Sequence, residues 1–132
     1  MKFLKYFYGN SYARLKISHL SCHIIVKNIV KASIGTGVTA FGLKVFMGST
    51  LSEITIPNSV TDIGELALAA CKSLKSVTIP NSVTSIGKDV FYKCNSLTSI
   101  TFYGKTMDEV KAMNYYPWGI QDMSIITKVD RT

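Results

Sequence analysis

At 132 residues, with 47% hydrophobic and 17% charged positions, the chain has the length of one folded domain and is too apolar to be disordered. Its three cysteines are too few for a disulfide framework, and no apolar run reaches the length of a membrane span. The formal net charge of +7 is unevenly placed: Met1 to Ser52 contains no acidic residue, and eight basic residues meet eight acidic ones from Glu53 onward.

The basic excess therefore belongs to the first part of the chain, in Lys2, Lys5, Arg14, Lys16, Lys27, Lys31 and Lys44. Such asymmetry suits an arm that meets nucleic acid or anionic lipid, and the plainer reading is a solvated extension. The opening has a basic start but neither an uninterrupted apolar stretch nor a small-residue cleavage site, so it does not read as a secretory signal. Residues 1–28 form a basic, aromatic N-terminal segment: a worn rung, a cap or an extension. Phe3, Tyr6, Phe7 and Tyr8 crowd its beginning, and Leu20, Cys22, Ile24 and Val26 alternate with the period of a strand.

Residues 29–103 repeat themselves. LSEITIPNSVTDIGELALAACKS from Leu51 and LKSVTIPNSVTSIGKDVFYKCNS from Leu74 are in register, and a third copy opens with LTSITFYG at Leu97. Ile54, Val77 and Ile100 fall 23 residues apart, as do Cys71 and Cys94. A worn copy precedes them, in which Val38-Thr-Ala-Phe-Gly42 matches Val60-Thr-Asp-Ile-Gly64. Self-similarity at this period is the signature of a solenoid, whose rungs bury their inner faces against one another.

The residue types give each rung its shape. Leu74, Val77 and Ile79 alternate inward in a short strand, with Lys75, Ser76 and Thr78 outward. Pro80 ends the strand because it has no N–H for the ladder, and Asn81 and Ser82 favour a turn. Val83 and Ile86 turn inward again, and Gly87 marks either a positive φ or a close backbone approach. Val90, Phe91 and Cys94 have the spacing of one short turn of helix. Cys71 and Cys94 read as small buried apolar residues.

The pattern breaks after Tyr103, and residues 104–132 read as a C-terminal helical and aromatic cap with a tail. Thr106-Met-Asp-Glu109 is a capping box opening a short helix to about Met113. Tyr115, Tyr116 and Trp118 supply bulk to cover the last open rung.

The unit L-x-x-[IV]-T-I-P-N-S-V-T-x-I-G-x-x-x-[FL]-x-x-C-x-S resembles the leucine-rich repeat of the BspA-like (treponemal-type) surface proteins. The match runs residue by residue over 51–96 and partially over 29–50 and 97–103, with 1–28 outside it. The resemblance implies an α/β leucine-rich repeat solenoid of three to four 23-residue rungs. It also implies a non-catalytic role in protein–protein contact, with adhesion and a cell-surface or secreted setting. The missing secretory signal leaves a cytoplasmic setting open. A fragment or structural component of a larger repeat assembly is the alternative, as is an anionic partner, nucleic acid or lipid, for the basic segment.

The candidate ligand-binding face is the outward side of the strands, represented by Glu53, Thr55, Lys75, Thr78, Ser99 and Thr101. Small polar residues on a regular sheet make a docking face for a protein, and they equally suit a solvated sheet. No metal or other cofactor is expected. His19, Cys22 and His23 match no zinc spacing and have no fourth ligand group nearby. Gly35-Thr36-Gly37 lacks the lysine of a phosphate-binding loop, and no nucleophile–base pair is suggested, so the chain does not read as an enzyme.

Overall fold

The computed structural model of the chain describes residues 13–15 and 31–129. The aromatic opening, the alternating stretch at Leu20–Val26 and the His19, Cys22, His23 group lie outside those residues. Along the chain the strands are β1 (Ala13–Leu15), β2 (Lys31–Ile34), β3 (Ala40–Phe41), β4 (Glu53–Thr55), β5 (Asp62–Ile63), β6 (Ser76–Ile79), β7 (Ser85–Ile86), β8 (Ser99–Tyr103) and β9 (Ile126–Val129). They form two parallel sheets, one of six strands in the order β1-β2-β4-β6-β8-β9 and one of three in the order β3-β5-β7. The chain is a solenoid, each rung laying one strand on the large sheet and, in the central rungs, a second on the small one.

Register follows the repeat. Ile54 pairs with Val77 and Val77 with Ile100, while Ile63 pairs with Ile86 on the small sheet. Between the sheets lies a core of stacked like residues. In one full unit Leu74, Val77, Ile79, Val83, Ile86, Val90 and Phe91 are all buried, and Leu51, Ile54, Ile56, Val60, Ile63 and Leu68 repeat them one level away. Each such side chain contributes roughly 1.5–3 kcal/mol when fully buried. The covering apolar surface includes that of the neighbouring rungs, which is why the unit recurs instead of standing alone.

Five features refine the sequence expectations. The helical turn expected at Val90–Cys94 takes the form of successive tight turns, with Tyr92 N–H donating to Asp89 O and Cys94 N–H to Phe91 O. It cannot continue as a helix because two residues four apart are left-handed in each of three rungs: Lys44 and Gly48, Leu66 and Ala70, Asp89 and Lys93. The N–H groups released by this geometry bond across rungs, Leu66 to Lys88 O and Ala70 to Tyr92 O.

Gly64 and Gly87 mark close approach and not a positive φ. A Cβ at Gly87 would lie 2.5 Å from Glu65 N and 2.9 Å from Gly64 C, and one at Gly64 would lie 2.7 Å from Phe41 O. Backbones of successive rungs touch there, and only glycine fits. The cysteines are more than small apolar filling. Cys71 Sγ donates to Phe46 O at 3.1 Å, and Cys94 Sγ donates to Leu68 O at 3.0 Å, so each thiol ties its rung to the one before.

The large sheet also extends beyond the expected repeat at both ends. Within the stretch set apart as 1–28, Ala13 of β1 pairs with Ala32 of β2. Within the stretch read as a cap, 104–132, Ile126 of β9 pairs with Ile100 of β8. The capping box forms as the spacing requires: Glu109 N–H donates to Thr106 Oγ1 at 3.2 Å and Thr106 N–H donates to Glu109 Oε2 at 2.7 Å, opening helix α1 (Met107–Lys111). Trp118 is fully buried, 5.7 Å from the Phe102 ring and 6.4 Å from the Phe91 ring, with its Nε1 donating to Asn114 O. Tyr115, expected beside it, is instead exposed with a left-handed backbone.

Candidate functional site

The outward face of the large sheet carries two columns in register. One runs Glu53, Ser76, Ser99; the other runs Thr55, Thr78, Thr101, Thr127. Strand alternation places them: Ile54, Val77 and Ile100 are buried between them, so their neighbours on both sides face away from the core. Neighbouring strands of a sheet lie about 4.8 Å apart, so the columns present a polar group at each such interval.

The fold brings five of the six candidates into these columns: Glu53, Thr55, Thr78, Ser99 and Thr101. Lys75 is exposed but precedes β6, so it sits at the rim of the face, where its carbonyl accepts the N–H of Thr98 at 2.9 Å and the Thr98 hydroxyl at 3.2 Å. A shallow depression of about 310 Å³ lies on the face, lined by Glu53, Thr55, Ser76 and Thr78 above Ile54 and Ile56. Ser99 and Thr101 lie on the strand beyond it.

Thr127 is the residue that sequence reasoning missed. Its hydroxyl donates to Ile100 O at 3.1 Å and lies 3.1 Å from the Thr101 hydroxyl. The signal was present in Ile126-Thr127, which repeats the pairs Ile54-Thr55, Val77-Thr78 and Ile100-Thr101 at a spacing of 26 instead of 23.

A second threonine column, Thr39, Thr61 and Thr84, lies one residue before the strands of the small sheet. Thr61 and Thr84 hydroxyls donate to Thr39 O at 3.3 Å and Thr61 O at 3.4 Å, binding each rung to the last. Those hydroxyls hold the stack together, as does that of Thr127 on the large sheet.

The titratable groups argue for structure over chemistry. Burial pushes the Cys94 thiol up to about 12, with Cys71 beside it adding to the rise, and burial raises Cys71 as well despite the Ser49 hydroxyl 3.3 Å away. Thiols held protonated in this way are poor nucleophiles. Burial lowers the Lys105 pKa, which Glu109 partly opposes; its ammonium donates to Asn81 O and Oδ1 and fastens the end of the turn column. Of the basic excess, Arg14 and Lys31 lie on the first two strands, β1 and β2, and Lys44 occupies a left-handed turn. Lys2, Lys5, Lys16 and Lys27 lie outside the described residues. Among the described residues no helix is long and apolar enough to cross a membrane.

Stacked parallel rungs, a leucine column and an exposed strand face define a leucine-rich repeat solenoid. The family model described as BspA type leucine rich repeat region, in six copies, matches residues 6–131, and the chain belongs to that family. The match includes most of residues 1–28, which the quoted consensus excluded; the pairing of β1 with β2 is its structural counterpart. Among solved structures, the chain is similar to a leucine rich cell surface protein from Faecalibacterium prausnitzii, with a TM-score of 0.65 and 21% identity over 89% of this chain. The alignment spans 31% of that protein, and at this identity the likeness is one of fold. No curated protein matches the chain.

Proposed function

We propose that the chain is a protein-interaction module that docks a partner protein on the outward face of its large sheet. The observation that carries this reading is the in-register pair of polar columns, with Glu53, Thr55, Ser76 and Thr78 around one shallow depression. The hydroxyls offer hydrogen bonds at sheet spacing, and rigid stacking means a partner meets them without an ordering cost to this chain. Adhesion at a cell surface is the form of this role that the fold neighbour's description, a leucine rich cell surface protein, supports.

The test is a pair of charge insertions. Thr78→Arg on the large sheet is expected to weaken binding of the purified chain to intact cells or extracellular protein at least tenfold, about 1.4 kcal/mol. Thr84→Arg beside the small sheet is expected to leave it unchanged. Equal loss from both, or loss from Thr84→Arg alone, contradicts the proposal.

A second reading, a structural component of a larger repeat assembly, is favoured by the position of β1 and β9 as the outermost strands of the sheet among the described residues. Sheet edges offer unpaired backbone groups to a further strand. Sedimentation that shifts to larger species with concentration supports it, and a concentration-independent monomer opposes it.

A further inference from the structure

The outward threonine column ends in a pair of hydroxyls whose protons are both accounted for. Thr127 Oγ1 donates to Ile100 O at 3.1 Å, since a carbonyl oxygen can only accept. A threonine hydroxyl has one proton, so the 3.1 Å contact between the Thr101 and Thr127 oxygens takes its proton from Thr101. One proton is thus spent on the backbone and the other on the neighbouring hydroxyl. What the pair offers outward is lone pairs. A group that docks on it must bring donors.

The surroundings narrow the class of donor. Tyr103 stands two residues beyond Thr101 on β8, on the same side of the sheet, and is 50% exposed. Two residues along a strand span about 7 Å, so the ring and the hydroxyl pair share one corner of the outward face. Lys128 holds the register position of the buried Phe102 and not one in the outward columns. The basic excess of the chain lies in its first 52 residues, and from Thr98 to Val129 three basic residues meet three acidic ones. This end of the face therefore carries no net charge that would repel a cation.

We propose that this corner binds an arginine side chain of the partner protein, with the guanidinium donating to the Thr101 and Thr127 oxygens and lying over the Tyr103 ring. The proposal rests on the docking face described above and names the chemistry of one contact on it. A guanidinium carries five N–H donors in one plane and no acceptor. It therefore sets no lone pair against those of the threonines, as a sugar hydroxyl or a side-chain amide would. Its flat face stacks on an aromatic ring, which the compact ammonium of lysine does not match. Tyrosine and arginine are also among the residues that carry most of the binding energy at protein interfaces.

The test uses the full chain and the synthetic peptide GSRSG, blocked at both ends, followed by NMR of backbone amides and tyrosine ring protons. Shifts that saturate at about millimolar peptide are expected at residues 100–103 and 126–129 and on the Tyr103 ring. The same peptide with citrulline for arginine keeps the shape but loses the charge and gains an acceptor, and it is expected to bind about tenfold more weakly. Tyr103→Ala and Thr127→Val are each expected to weaken binding of the arginine peptide about threefold or more. Thr78→Val makes the same exchange two strands away and is expected to leave binding unchanged. Absence of saturable shifts at these residues, equal binding of the citrulline peptide, insensitivity to both Tyr103→Ala and Thr127→Val, or an equal loss from Thr78→Val overturns the proposal. The docking face itself is decided separately, by the Thr78→Arg and Thr84→Arg pair.

Discussion

Gly87→Ala is the substitution whose effect follows most directly from the stack. The new methyl would sit 2.5 Å from Glu65 N, 2.8 Å from Glu65 Cα and 2.9 Å from Gly64 C. All three are backbone atoms of the adjacent rung, so no side chain can rotate away, and an ordinary contact needs the rungs to part by roughly 1 Å. That movement acts on the inter-rung bonds beside it, Gly87 N–H to Ile63 O at 2.8 Å and Leu66 N–H to Lys88 O at 3.0 Å. Overpacking typically costs about 1–3 kcal/mol, and weakening such bonds adds up to about 1 kcal/mol, so a loss of about 3 kcal/mol is expected. Gly37→Ala is the control, because nothing lies within 4 Å of its Cβ position; it is expected to be neutral or to stabilise by about 0.4–1 kcal/mol. Urea unfolding followed by circular dichroism measures both. A Gly87→Ala midpoint equal to that of the parent, or a Gly37→Ala loss of the same size, refutes the close-approach reasoning.

Other outcomes follow from the same structure. Lys93→Gly relieves a left-handed residue at an exposed position, and the relief of about 1–2 kcal/mol outweighs glycine's added unfolded-state entropy, for a net gain of about 0.5–1 kcal/mol in the same unfolding assay. Trp118→Ala empties the plug against Phe91 and Phe102 and is expected to cost about 3–5 kcal/mol by urea unfolding. As the chain's single tryptophan, Trp118 is also expected to show a red emission shift when the parent unfolds. The Cys94 thiol is held up to about 12 by burial while its unfolded counterpart titrates near 9. Above pH 9 the unfolded state therefore binds fewer protons, and stability falls as pH rises from 9 toward 12; a Cys71→Ala/Cys94→Ala variant is expected to show a shallower fall. Thr106→Ala removes the hydroxyl that caps α1 and is expected to cost about 1 kcal/mol in thermal unfolding.

Most of the rung was legible because its signals are local and repeated. Leu74, Val77 and Ile79 alternate, Pro80 stops the strand, and Thr106 and Glu109 announce a helix start within four residues; each decides its own neighbourhood. What was not legible depends on contacts between rungs. Nothing within one unit distinguishes Gly87 as a contact point from Gly87 as a left-handed residue, since that is decided by Glu65 and Gly64 one level away. The Cys94 thiol likewise acquires its role from Leu68 O. Helical spacing at Val90 and Phe91 was read correctly for burial and misleadingly for conformation, because two turns with left-handed Asp89 and Lys93 place the same residues inward.

The ends were obscured by altered spacing. Ala13 lies 19 residues before its partner Ala32, and Ile126 lies 26 after Ile100, so a search at 23 passes over both. The outward face shows the same division: Thr55, Thr78 and Thr101 were found from the repeat, and Thr127 needed the sheet.

We propose that a partner protein meets the outward face of the large sheet. Photo-crosslinking is the test, with a benzophenone amino acid placed singly at Thr55, Thr78, Thr101 and, for comparison, at Thr61 and Thr84 beside the small sheet. Adducts from the large-sheet positions alone, competed by unlabelled chain, are the predicted result. Adducts of equal yield from both sheets, or from Thr61 and Thr84 only, contradict it.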